Sequence, residues 1–139
     1  MRVNARSIFI FLFLVCFVIA LAGGLLWANL NFVQRVPGGV DFIVLWKGAR
    51  NFMMQDVTPY GTLTTLNIQN IVYGRAARPS EPPLRVGMPF YDVLLFMPFG
   101  AMSDLPLARA LWMIVLEAAL AGLIVVSLQL SRWKPAPTS

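Results

Sequence analysis

The chain has six carboxylates and no histidine, which limits the chemistry open to it. Without imidazole, a Ser-His-Asp triad and an HExxH zinc site are excluded, and acid or base work falls to Asp or Glu. Asp41 is the first candidate. It follows Gly38-Gly39 and opens a segment in which Phe42, Leu45, Trp46, Ala49, Phe52 and Met53 recur at helical spacing, with Lys47, Arg50 and Asn51 off that stripe. This predicts an amphipathic helix over about 41–55. By spacing alone, the commoner reading of Asp41 is an N-cap, accepting the first free amides for about 0.5–2 kcal/mol. Asp56, just ahead of Thr58-Pro59, reads as a turn former, with ligand contact as the alternative. Asp104 reads as a helix cap.

Glu117 lies well inside the apolar body of a later helix, where an ionisable side chain is costly and faces a partner or a wet cavity. Arg109 is too far along the helix for an i,i+4 pair, so the partner belongs on another helix or another chain. The competing reading is a protonated or snorkelling side chain. Arg75, Arg78 and Arg85 have the guanidinium forks that match phosphate oxygens, and the bland alternative is solvated loop charge. Tyr60, Tyr91, Trp46 and Trp112 suit either stacking on a sugar or anchoring at a membrane interface, and the anchor is the stronger prior.

Composition places these residues in a membrane chain. Of 139 residues 58% are hydrophobic and only 12% charged, and the mean hydropathy is +0.72. The net charge of +5 comes from dispersed Lys and Arg rather than from one basic stripe, which argues against nucleic acid and for lipid headgroups and topology. The single cysteine, Cys16, sits in an apolar run, so an intrachain disulfide is excluded and thiolate metal ligation is not expected.

The elements that must position these residues follow in order. Arg2 and Arg6 precede the uncharged run Ile8 to Leu30, long enough to cross a hydrocarbon core of about 30 Å. A cleaved signal peptide competes, because Ala20-Leu21-Ala22 has the small-x-small form. The run continues to Trp27, Asn29 and Asn31, however, as the interfacial end of a span does. From 31 to 103 the composition turns mixed, with a short helix expected over 62–73. Gly74 to Pro83 reads as an exposed, mobile lid or tether, and 88–102 as an apolar helix too short to span and better suited to a re-entrant or interfacial position. Ser103-Asp104-Leu105-Pro106 then starts a second span over 104–130. The expected architecture is all-α and integral to the membrane, with two transmembrane helices flanking an extracytoplasmic loop of amphipathic and re-entrant or interfacial helices. Arg2 and Arg6 at one end, with Arg132 and Lys134 at the other, place both termini (1–7 and 131–139) in the cytoplasm and the chain in the cytoplasmic membrane.

Taken together, these motifs resemble one family. They are Asp41-Phe42 opening a helix that holds Trp46, the turn Asp56-Val-Thr-Pro59-Tyr60, Met88-Pro89-Phe90 opening a short apolar helix, and Leu105-Pro-Leu-Ala-Arg-Ala-Leu-Trp112 opening a span. Their order over about 6–130 is similar to the N-terminal part of glycosyltransferase family 87, the polyprenyl-phosphate-mannose-dependent mannosyltransferases of the C-type superfamily. The resemblance implies transfer of a hexose, mannose in that family, from a polyprenyl phosphate to a hydroxyl acceptor outside the membrane, with inversion and no metal. The lipid-linked sugar serves as substrate rather than cofactor. It also implies Asp41 as general base; Asp56, Tyr60, Arg75, Arg78 and Arg85 stand beside it as the candidate substrate contacts that their own side chains suggest. Members of that family are longer and have many membrane helices. The expectation is therefore a fragment or half of such an enzyme, inactive alone and partnered by another membrane chain or a missing C-terminal half. A small two-span scaffold that binds another membrane protein through its loop and Glu117 is the second expectation.

Overall fold

The computed structural model describes residues 5–131, and every regular element among them is a helix. The termini whose charges set the expected topology, at Arg2, Arg132 and Lys134, lie outside the described residues. The elements are α1 (Ala5–Arg35), α2 (Val40–Gln55), α3 (Thr62–Tyr73), α4 (Phe90–Leu95), α5 (Met97–Gly100) and α6 (Leu105–Ser131). They divide into two compact units, one formed by residues up to Asn29 and from Leu111 onward, the other by Leu30–Ala110.

The first unit holds the bodies of the two long helices. α1 has 31 residues and α6 has 27, so at about 1.5 Å per residue each exceeds a hydrocarbon core of about 30 Å. Both are long and apolar enough to cross a membrane, and their most apolar stretches bury nothing within the protein. Side chains such as Phe9, Ile19, Leu120 and Leu123 are exposed around the helix circumference. Such a surface suits lipid, because a helix that is apolar all round has no face to offer water. α1 runs on through Asn31 and Gln34 to Arg35, beyond the predicted end at Leu30. Loss of hydrophobicity marks where a span ends, not where its hydrogen bonds stop. A cation in the last turn of α1 also suits the helix dipole.

In the second unit α2 is the central element. Phe42, Ile43, Val44, Leu45, Trp46, Gly48, Ala49 and Asn51 are all buried, so the predicted single stripe is too narrow. The reason is that α3, α4 and α5 all pack on this helix, and Val86 presses on Gly48 besides. A Cβ built at Gly100 of α5 would lie 2.9 Å from the Arg50 backbone nitrogen and 3.0 Å from Ala49 Cβ, so only glycine permits the two helices to approach this closely. Around that contact the rings of Phe42, Phe96 and Phe99 pack at 5.6 Å, 6.4 Å and 5.9 Å between centroids. Arg50 Nη1 donates to Gly100 O at 3.1 Å and Trp46 Nε1 to Met102 O at 3.3 Å. These bonds satisfy carbonyls left open at the end of α5.

Two expectations are corrected. The 88–102 segment is two helices rather than one, because Pro98 lacks the N–H that would continue α4, and the turn re-forms with Gly100 N–H donating to Phe96 O at 2.8 Å. The 74–83 excursion is tied down rather than a free lid. Gln69 of α3 accepts from Ala77 N–H at 2.9 Å and donates to Pro83 O at 2.7 Å, while Tyr73 Oη donates to Pro82 O at 3.1 Å. The expected start of the second long helix holds. Asp104 caps α6, its Oδ1 accepting Leu107 N–H at 2.7 Å.

Candidate functional site

Where α1 ends, the chain must turn sharply into α2. Pro37 cannot extend the helix, and Gly38 and Gly39 take φ of 140° and 73°, the second a left-handed conformation that costs an L side chain about 1–2 kcal/mol. Gly39 thereby becomes the N-cap residue of α2 and supplies no side-chain cap, so the first amides of this 16-residue helix have no side-chain acceptor. Into this turn comes Arg109, from the first turns of α6. Its Nη1 donates to Val36 O at 3.2 Å, and a Cβ at Gly39 would stand 2.8 Å from its Nε. No carboxylate lies within ion-pair distance of Arg109 among the described residues.

A guanidinium without an ion pair beside a helix N-terminus favours an anion, although Asp41 in the first turn of α2 already offsets part of the helix dipole. The cavity around it adds the second half of the chemistry. Its volume is about 350 Å³, and its walls include Val33, Ile43, Ile71, Val72 and Leu105, with Arg109 the one charged residue of the lining. Apolar walls with one cation fit a ligand that is part hydrocarbon and part anion.

Asp41 stands in the first turn of α2, two residues beyond the glycine that Arg109 covers. It is exposed, and among the described residues its carboxylate has no hydrogen-bond or ion-pair partner. It is not the cap: Gly39 holds that position. Its carboxylate is therefore open to a ligand's proton. Asp56 is the C-cap of α2 in a left-handed conformation, φ 52°, which Asp tolerates better than most residues. That is the turn role expected from sequence.

The three loop arginines separate. Arg75 is committed to Glu81, with Nη2 to Oε1 at 2.7 Å and Nη1 to Oε2 at 2.8 Å, and it lies over the Tyr73 ring. The Arg75 hydrogen bond, reinforced by Arg78 N–H, holds the Glu81 carboxyl down to about 2. Arg78 contributes that backbone N–H at 2.8 Å, and its side chain makes no contact that would build a site. Arg85 lines a pocket together with Tyr60, Thr62 and Thr65. Lys47, half-buried in α2, is held below its ordinary lysine value by burial and then by Arg50.

Glu117 finds its partner on the other long helix of its own unit, where Asn29 Nδ2 donates to Oε2 at 3.2 Å. Among the described residues no group of His, Cys, Asp and Glu is arranged to hold a metal. Sequence reasoning missed Arg109 as a site residue. Its signal lies in the Gly38-Gly39 pair, which leaves room for a large side chain, but nothing local says which one fills it. It also missed the buried chain running from Asn51 Nδ2 to Thr64 Oγ1 at 3.0 Å and from Thr64 Oγ1 to Thr58 O at 2.9 Å. This chain fixes the Thr58-Pro59 turn to α2.

Fold and pocket together define an all-helical protein with two helices long and apolar enough for a membrane, carrying a cation-tipped apolar cavity. No family model, curated protein or solved structure matches the chain.

Proposed function

We propose that the protein binds a polyprenyl-phosphate-linked sugar and forms the donor-binding part of a membrane glycosyltransferase that passes a hexose to a hydroxyl acceptor. The observation that carries this reading is the pocket of Arg109, where apolar walls end at an uncompensated guanidinium and the uncapped start of α2. The prenyl chain would occupy the apolar walls, and the phosphate would meet Arg109 and the first amides of α2.

On this reading Asp41 accepts the proton of the acceptor hydroxyl. The acceptor oxygen attacks the anomeric carbon, and the bond from that carbon to the phosphate oxygen breaks with inversion. The polyprenyl phosphate leaves with its charge held by Arg109. The loop then lies outside the cytoplasmic membrane, with α4 and α5 at the interface, where exposed Tyr91, Leu94 and Leu95 suit a lipid surface. The non-catalytic scaffold reading draws mainly on Glu117, and that carboxylate is already bonded to Asn29 of the same chain.

The test is binding of polyprenyl phosphate to the full chain in phosphatidylcholine nanodiscs, read by native mass spectrometry. Arg109→Gln is expected to lower affinity by about tenfold or more, the loss of a charge-assisted hydrogen bond. Asp41→Asn is expected to leave binding intact while lowering transfer by the assembled enzyme. Unchanged affinity in Arg109→Gln would refute the donor-site assignment.

A further inference from the structure

The second pocket has the opposite chemistry from the first. It is lined by Tyr60, Thr62, Thr65 and Arg85, has a volume of about 290 Å³, and presents more polar than apolar wall. Arg85 is presented by a rigid segment. Before it, Pro83 O accepts Gln69 Nε2 at 2.7 Å. Immediately after it, Val86 is buried at 5% exposure and packs against Gly48 of α2. At the far end, Tyr60 Oη donates to Met88 O at 3.0 Å. Between these anchors Leu84 is held left-handed at φ 49°, a conformation an L side chain rarely takes.

The pinned segment leaves Arg85 exposed, and its guanidinium has no hydrogen-bond or ion-pair partner among the described residues. Arg75, ten residues earlier, is paired with Glu81, so the acid nearest in sequence to Arg85 is already taken. The Tyr60 hydroxyl uses its proton on Met88 O and keeps its lone pairs for a ligand. Thr65 Oγ1 likewise donates to Gly61 O at 3.2 Å and keeps acceptor capacity. Thr62, the first residue of α3, adds a hydroxyl with no hydrogen-bond partner among the described residues. A fork of donors facing several hydroxyl acceptors matches a phosphate monoester on a hydroxyl-rich body: the phosphate takes the fork, and the ligand's own hydroxyls donate to Tyr60 and Thr65.

We propose that this pocket is a second binding site, distinct from that of Arg109, which takes the phosphate monoester of a polar, hydroxylated ligand through Arg85. The proposal stands on residues that the donor pocket does not use, so either can fail alone. Phosphate monoesters reach such a site from water or from a lipid headgroup, and the test separates the two.

The full chain is assembled in phosphatidylcholine nanodiscs and titrated by calorimetry with mannose 6-phosphate, inorganic phosphate and mannose. Parallel nanodiscs carry phosphatidic acid. Mannose 6-phosphate is expected to bind more tightly than inorganic phosphate, with mannose weaker than either. Arg85→Gln is expected to lower the sugar-phosphate affinity about tenfold or more, and Arg85→Lys to recover part of it. Arg78→Gln, which removes an equal charge from the neighbouring loop, is expected to have little effect. If phosphatidic acid competes as strongly as mannose 6-phosphate and the competition needs Arg85, the phosphate is taken from the lipid and the hydroxylated body of the ligand is overturned. Affinity unchanged in Arg85→Gln, or reduced equally in Arg78→Gln, overturns the proposal. Circular dichroism of each variant confirms the fold, which an exposed side chain does not support.

Discussion

Replacing Gly39 by alanine probes both the turn that builds the Arg109 pocket and the residue that fills it. At φ 73° the new side chain would meet left-handed strain of about 1–2 kcal/mol. Its Cβ would also lie 2.8 Å from Arg109 Nε and 3.2 Å from Cζ, so the guanidinium has to swing away. That movement breaks the bond from Arg109 Nη1 to Val36 O, for a further 0.5–1.5 kcal/mol or about that. In a chain that already carries Arg109→Ala, only the strain is left to lose. The two substitutions are therefore expected to be non-additive by about 0.5–1.5 kcal/mol in a double-mutant cycle. Urea unfolding in detergent, followed by circular dichroism, measures the cycle. Gly39→Asn separates the two causes, because Asn tolerates the left-handed region but still displaces Arg109. It is expected to recover stability relative to Gly39→Ala without recovering affinity for polyprenyl phosphate. Additive stabilities, together with wild-type affinity in Gly39→Ala, would refute the reasoning.

Three further outcomes follow from the packing and the charges. Gly100→Ala places a methyl 2.9 Å from the Arg50 backbone. It is expected to destabilise by about 1–3 kcal/mol less a few tenths for helix propensity, read as a lower urea midpoint. Asn51→Ala removes the donor to Thr64 Oγ1 at a fully buried position, and a loss of about 1–3 kcal/mol is expected by the same measurement. Acid should release the 74–83 loop. Glu81 is held at about 2, below its ordinary 4.5, so the tie is complete above about 4.5 and is lost as pH falls toward about 2. The protection factor of the Arg78 amide, taken against its intrinsic exchange rate at each pH, should fall through that window, and Glu81→Gln should show the low protection already at neutral pH.

The parts of the fold that were legible in the sequence are those whose signals are local. The apolar period from Phe42 marks α2, the capping side chain of Asp104 marks the start of α6, and Gly74 closes α3. The rest depends on partners distant in sequence. Asn51 lies off the apolar stripe, yet it is buried because Thr64 and Thr58 receive it. The loop after Tyr73 has the proline and arginine content of a mobile tether, but Gln69 meets two of its backbone groups and Glu81 meets Arg75. The pocket gathers its walls from α1, α2, α3 and the start of α6, so no one segment carries its signature. Asp41 was singled out from sequence for the right helix, but the cap belongs to Gly39, whose open conformation also admits Arg109.

A polyprenyl phosphate bearing a diazirine in its first isoprene unit, photolysed with the full chain in nanodiscs and mapped by tandem mass spectrometry, tests the proposed donor role of the Arg109 pocket directly. Adducts are expected on Val33, Ile43, Ile71, Val72 and Leu105, competed by unlabelled polyprenyl phosphate and reduced in Arg109→Gln. Adducts confined to the outer face of α1, at Phe11, Leu14 and Val18, and indifferent to Arg109, would contradict it, because they would mean the lipid meets this protein only as solvent.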